Sequence, residues 1–175
     1  MITHHPNLFY ALWPDEASRA ELTKLQARTH GRLTRPQNFH LTLAFLGPLP
    51  DALLPVLRST LKRIDFAPID LTIDRLGYFQ HNAIAWAGMH TPPPALLHLQ
   101  KMLAQELVHK GIAYDAGRSF NPHITLARKA AAPCDLPFTP FHWHTEQMVL
   151  AQSPQADEEP FYRVLASHPC KQHVD

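Results

Sequence analysis

The chain has 175 residues, 45% of them apolar, and a formal net charge of +1 at pH 7. That is enough chain for one domain, or for two small lobes sharing a core, and the near-zero charge excludes a large basic surface for tight binding along a duplex. Two cysteines, Cys134 and Cys170, are too few for a disulfide framework, and the N-terminal apolar run is too short to be a leader or to span a membrane, so a cytoplasmic protein with no membrane partner is expected.

In chain order, residues 8–13 form one apolar run and read as a buried strand. Pro14 ends it, and Asp15 is placed to cap a helix over residues 16–29 that Gly31 closes. A second strand follows at residues 41–46, where Leu41, Leu43 and Leu46 stand beside Thr42 and Phe45. Beyond Gly47, Pro48 and Pro50, the spacing of Leu53, Leu54, Leu57, Leu61 and Ile64 predicts a helix, with Pro55 near its start. Ile69, Leu71 and Ile73 alternate with polar residues, as in a half-exposed strand. Residues 78–82 read as a turn and 83–89 as another strand. Prolines 92–94 open a helix whose Leu96, Leu99, Leu103 and Leu107 share a face, and Gly111 is its expected C′ residue. A loop through Gly117, Arg118 and Ser119 leads to a strand at residues 123–128. Residues 130–140, rich in Ala and Pro, read as a surface loop. Residues 141–152 and 161–167 read as two strands joined by an acidic turn at 157–159, and the end from Pro169 to Asp175 as frayed.

Within this order seven residues recur. Asn38-Phe39-His40-Leu41-Thr42-Leu43-Ala44 returns as Asn121-Pro122-His123-Ile124-Thr125-Leu126-Ala127, with five positions identical and one Leu exchanged for Ile. Alternate residues of a strand share a face. His40 and Thr42 therefore point one way with Leu41 and Leu43 packed behind them, and His123 and Thr125 do the same in the second copy. Strand, helix and motif strand occur in that order over residues 8–46 and again over 83–128. Two such β-α-β units set face to face would bring both motifs to one cleft.

The two His-x-Thr-x motifs, at residues 40–43 and 123–126, resemble those of the 2H phosphoesterase superfamily. Among its branches, the RNA 2′,3′-cyclic phosphodiesterases, or 2′-5′ RNA ligase-like proteins, are the nearest match. The flanks NFHLTLAFLG (38–47) and NPHITLAR (121–128) are similar to the family signatures, as are LFYALWP (8–14) and FYRVL (161–165) to its opening and closing strands. The resemblance spans nearly the whole chain. It implies an α+β fold of two pseudo-symmetric lobes of antiparallel sheet flanked by helices around a central cleft. The implied reaction is hydrolysis of RNA 2′,3′-cyclic phosphate ends, with joining of 2′-5′ RNA ends as a related activity. The implied partners are RNA ends or nucleotides carrying a 2′,3′-cyclic phosphate. A monomer needing no cofactor is expected.

The residue types suit that chemistry. Opening a cyclic phosphodiester takes a base to deprotonate water and an acid to protonate the leaving ribose oxygen, and two imidazoles can supply both near neutral pH. The hydroxyls of Thr42 and Thr125 can donate to phosphate oxygens from two sides. The family analogy makes His40 the proton donor and His123 the acceptor, and it places phosphate-binding Arg128 in the site. The two motifs are too alike for the sequence itself to separate acid from base. Arg128 lies five residues after His123, an odd offset that would put it on the wrong face unless the strand bulges or ends there. Phe9, Phe45, Tyr78, Phe120 and Tyr162 are candidates to stack on a base. Asn38 and Asn121 either tie their strands to backbone or face the cleft. His142 and His144 have metal-like spacing with no carboxylate or Cys cluster nearby in sequence, so no metal site is expected. Two rivals stand beside this function: another cyclic phosphodiesterase of the same fold, acting on nucleotide or ADP-ribose cyclic phosphates, and a non-catalytic binder of RNA ends or nucleotides.

Overall fold

A computed structural model describes residues 5–114, 119–154 and 160–171. The loop at Gly117 and Arg118, the acidic turn at 157–159 and the chain end from residue 172 lie outside these residues. Ten strands are present among them. They are β1 (Asn7–Leu12), β2 (Arg32–Leu33), β3 (Leu41–Pro48), β4 (Ile69–Ile73), β5 (Arg75–Phe79), β6 (Ile84–Gly88), β7 (His123–Arg128), β8 (Phe141–Thr145), β9 (Gln147–Gln152) and β10 (Arg163–Pro169). Three helices accompany them: α1 (Glu16–Gln26), α2 (Leu54–Arg63) and α3 (Pro94–His109). The fold is α+β, as the family resemblance implied, with every strand pairing antiparallel.

The main sheet runs β10-β9-β1-β3-β7-β6-β5, with β2 added beside β7, while β4 and β8 pair separately. Its two halves mirror each other about the seam between the motif strands. β1 lies outside β3 on one side and β6 lies outside β7 on the other. The seam itself registers at a single pair, Leu41 opposite Ile124. Both are fully buried. The helices exchange sides behind it: α1, between β1 and β3 in the chain, packs on β7, and α3, between β6 and β7, packs on β3. Each motif strand is thus backed by the other half's helix, and the opposite face is left for a cleft.

The local chemistry that sets these elements is simple. The Asp15 side chain accepts from the Ser18 N–H at 2.7 Å and starts α1. That helix ends at Gln26, three residues short of the expected end, because the Gln26 carbonyl takes both the N–H and hydroxyl of Thr29 in a closing turn. Pro94 stands in the first turn of α3, where its missing N–H costs nothing. Gly111, at φ +69°, ends it with paired bonds, Gly111 N–H to the Val108 carbonyl and Ile112 N–H to that of Leu107.

Three expectations fail locally. The turn expected at residues 78–82 starts later, because Tyr78 and Phe79 belong to β5. Gly77 sits mid-strand with the Trp86 ring over it: a Cβ there would stand 2.1 Å from Trp86 Cζ2. Residues 141–152 are two strands, with the chain changing sheets at Glu146 between β8 and β9. Residues 169–171 are tied down rather than frayed: Cys170 N–H donates to the Glu146 carbonyl and Lys171 N–H to that of Phe66.

Candidate active site

The seam places the motif residues. With Leu41 opposite Ile124, continuing the antiparallel register by one residue each way sets Thr42 across from His123 and His40 across from Thr125. Each histidine therefore faces the threonine of the other motif. All four side chains leave the sheet on the side away from Leu41 and Ile124, and all four are half-buried rather than enclosed. The two histidines lie on a diagonal of this square, a relation that spaces residues by roughly 7–8 Å in a regular pair, their Cβ atoms somewhat less.

Immediately after each threonine the strand bulges. On β3, Thr42 pairs with Ala11 and Ala44 with Tyr10, so Leu43 is an extra residue. On β7, Thr125 pairs with Trp86 and Ala127 with Ala85, so Leu126 is extra in the same way. The extra residue reverses the facing of the residues beyond it. Arg128, opposite Ile84, therefore returns to the face of Trp86, Thr125 and His123 despite its odd offset. The equivalent position on the other strand is Phe45, opposite Phe9. One wall thus carries a cation where the other carries an aromatic ring. The bulge of β7 is held from a distance: the Leu126 carbonyl accepts from buried Gln26 Nε2 at 2.9 Å and from Thr34 N–H at 2.8 Å. Gln26 Nε2 also donates to the Thr34 carbonyl at 2.7 Å.

Both imidazoles are set by the same local bond. His40 Nδ1 lies 2.7 Å from the Asn38 carbonyl and His123 Nδ1 lies 2.8 Å from the Asn121 carbonyl. A carbonyl can only accept, so each Nδ1 must carry its proton and each neutral ring presents Nε2 as a free acceptor. Their surroundings differ. His40 stands among Phe9 (ring centroids 4.8 Å), Trp13 (5.6 Å, nearly parallel) and Tyr162 (5.0 Å, edge-on). His123 meets Phe79 edge-on at 4.9 Å, with Trp86 at 6.2 Å.

Burial pushes the pKa of His40 down to about 4; its bond to Asn38 opposes this, and His123 and Arg128 lower it further. His123 is lowered by burial too, against its bond to Asn121, with Arg128 adding to the depression. The influence of His123 and Arg128 on His40 places all three within electrostatic reach of one another. With no anion present, both rings are therefore neutral at pH 7. A negative charge brought beside the rings would oppose these depressions.

The aromatic candidates divide. Phe45, about half exposed, and Phe120 line a cavity of about 900 Å³ that also takes in Thr42 and His123. Tyr78 borders the same cavity, with its hydroxyl held by the Ala130 carbonyl. Phe9 and Tyr162 pack on His40 instead. Trp13, Phe79 and Trp86 touch the imidazoles without having been singled out from the sequence. The usable signal for Trp86 was its pair of glycines, since Gly77 and Gly88 both lack the Cβ that its ring would strike.

Of the two asparagines, Asn38 binds backbone, donating to the Pro160 carbonyl and accepting from the Tyr162 N–H, whereas exposed Asn121 lines the cavity. His142 and His144 lie far along the chain in β8, paired with β4. His144 contacts two carboxylates, Asp70 at 2.6 Å and Glu146 at 3.5 Å. Even so, no cluster of three His, Cys, Asp or Glu suited to a metal ion exists among the described residues. Nor is any helix among them long and apolar enough to cross a membrane.

Comparison with known proteins gives a consistent result. The family model described as the 2′-5′ RNA ligase superfamily matches residues 13–149. The RNA 2′,3′-cyclic phosphodiesterase of Escherichia coli (strain K12) is 33% identical over 141 residues, covering 78% of this chain and 79% of that protein. The protein of the same name from Thermus thermophilus is 31% identical over 173 residues, covering 90% and 87%. The crystal structure of E. coli LigT complexed with 3′-AMP superposes with a TM-score of 0.81 at 28% identity, covering 95% of this chain and 99% of that one.

Proposed function

Because the chain belongs to the 2′-5′ RNA ligase superfamily, we propose that it hydrolyses RNA 2′,3′-cyclic phosphate ends to 2′-phosphomonoesters. One observation carries the reading. His40, just before β3, and His123, at the start of β7, each have Nδ1 held by the carbonyl two residues back, leaving two Nε2 atoms for one substrate.

In the proposed reaction, water attacks the phosphorus while His123 Nε2 takes its proton. The P–O3′ bond breaks, and His40 Nε2, protonated in the bound state, gives its proton to the departing O3′. Phosphorus keeps its bond to O2′, so the product is a 2′-phosphomonoester. Thr42 and Thr125 donate to the non-bridging oxygens as charge builds on them, and Arg128 balances the anion. The cavity beside Thr42 and His123 receives the ribose and base, with Phe45 as a stacking surface. Attack by the 5′-hydroxyl of a second RNA in place of water would form a 2′-5′ linkage by the same proton transfers. The free thiols Cys134 and Cys170 fit a reducing compartment such as the cytoplasm.

The test is product analysis on a short RNA ending in a 2′,3′-cyclic phosphate. A 2′-phosphate product is expected, with His40→Ala and His123→Ala each slower by at least ~10²-fold. A 3′-phosphate product, or near-wild-type turnover by either variant, would overturn the assignment.

A further inference from the structure

We propose that the Asn38 side chain is a positioning residue that latches the lead-in of β10 over His40 and keeps water from that imidazole. The inference rests on the reading of His40 as the proton donor, and it concerns what sets that donor's acidity.

The two motifs open with the same residue, yet the two asparagines are used differently. Asn38 Nδ2 donates to the Pro160 carbonyl at 2.9 Å, and Asn38 Oδ1 accepts from the Tyr162 N–H at 3.0 Å. Both ends of one amide are matched to the polarity of the backbone they meet, across more than 120 residues of chain. An aspartate could keep only the second bond, since an ionised carboxylate has no donor. Asn121 makes no side-chain hydrogen bond among the described residues and stands exposed at the cavity.

What the latch holds is Tyr162. This residue precedes β10, so no strand pairing fixes it. Its ring stands edge-on to His40 at 5.0 Å and edge-on to Phe9 at 5.3 Å. Next to it, Phe161 lies under the Arg35 guanidinium at 5.5 Å, so both ring-bearing residues of the segment dock against the approach to the first motif. Of the other two walls around His40, Phe9 comes from β1 inside the sheet and Trp13 from the residue just past its end. Among the described residues, Tyr162 is the wall whose backbone is tied down by a side-chain clamp.

Asn38 acts on His40 from both its backbone and its side chain. Its carbonyl fixes the Nδ1 proton at 2.7 Å, and its amide holds the shield over the ring. Burial is the largest influence on His40, and the charged groups acting on it are His123 and Arg128, both from β7. The aromatic walls contribute shielding rather than charge. A shielded imidazole holds its proton weakly, which makes it a better donor to the leaving oxygen once the substrate anion has loaded it. Among the described residues no side-chain latch holds a segment over His123, so the surroundings of the two nearly identical motifs differ through residues outside them.

The measurement is an NMR titration of the His40 imidazole in the substrate-free protein, with His123 as internal reference. The variants are Asn38→Ala, Tyr162→Ala, Tyr162→Phe and the double variant Asn38→Ala/Tyr162→Ala. Asn38→Ala and Tyr162→Ala should each raise the His40 midpoint by about one pH unit as water reaches the ring. Tyr162→Phe should titrate as wild type, because the ring and not the hydroxyl does the shielding. The double variant should shift no further than Tyr162→Ala alone, since the amide acts through that ring. Thermal melts establish that each variant is folded. An unmoved His40 midpoint in folded Asn38→Ala, or additive shifts in the double variant, would overturn the latch. No substrate enters the titration, so a protein inactive on cyclic phosphate would still report on the latch. Conversely, an unmoved midpoint in a protein that opens cyclic phosphate would sink the latch alone.

Discussion

The depressed pKa of His40 has a consequence for folding that can be measured without any substrate. In an unfolded chain this imidazole titrates near the ordinary 6.5, whereas in the folded protein it titrates at about 4. Between those values the unfolded state binds the proton that the folded state refuses, so stability must rise with pH across the window. The contribution is fully present above pH 6.5, falls as the solution is acidified, and is gone below about pH 4. At about 1.36 kcal/mol per pH unit, the whole window is worth about 3 kcal/mol. By pH 4.5 roughly 2.5 kcal/mol of it is lost. Urea unfolding of wild type and His40→Gln at pH 7.5 and 4.5 isolates the term, because the amide is similar in size and does not titrate, and every other group is common to both proteins. Wild type should lose roughly 2.5 kcal/mol more than the variant on acidification, equivalent to roughly 5–10 °C in Tm for a domain of this size. Equal losses in the two proteins would show that His40 is not shielded in the folded state. The same depression reaches the activity: kcat/KM reports the free enzyme, so both limbs of its bell should fall below 6.5. In kcat they should move up, because the bound phosphate favours the protonated ring.

Three further perturbations probe the structure around the site. Gly77→Ala sets a methyl where Trp86 Cζ2 stands 2.1 Å away, under a ring that also meets Gly88 and the Arg75 guanidinium; thermal unfolding should show a loss of about 1–3 kcal/mol, and a wild-type melt would refute the packing. Gln26→Met removes the donor shared by the Thr34 and Leu126 carbonyls at the β7 bulge, which should cost about 1–3 kcal/mol and weaken inhibition by inorganic phosphate through Arg128. A stability loss with unchanged phosphate inhibition would mean that the bulge does not depend on Gln26. Turnover should survive exhaustive chelation, since the acid, the base and the phosphate donors proposed are all side chains. Loss with EDTA and recovery with zinc or manganese would point to a metal-assisted reaction instead.

Much of this protein is written in local pattern. A strand alternates every two residues whatever surrounds it, so the spacing of His40, Leu41, Thr42 and Leu43 already separates a polar face from a packing face, and the second motif repeats the division. Apolar periodicity marked α2 and α3 for the same reason, and Gly111 marked the end of α3 because a left-handed residue there favours glycine. The family resemblance rested on those same short stretches. What the sequence left open depends on contacts between distant parts of the chain. The odd offset of Arg128 is resolved by a bulge whose carbonyl is satisfied by Gln26, 100 residues earlier. The strand through Gly77 was hidden because the Trp86 ring, on another strand, replaces the missing side chain. Asn38 and Asn121 are the same residue in the same motif, yet only Asn38 meets the backbone at residues 160 and 162. The protonation of His40 is likewise set by Phe9, Trp13, Tyr162 and Arg128, brought around it from three separate segments. Local sequence determined that the two histidines and two threonines share a face; packing across the whole chain brought Arg128 onto it and, through burial and charge, determined how firmly each imidazole holds its proton.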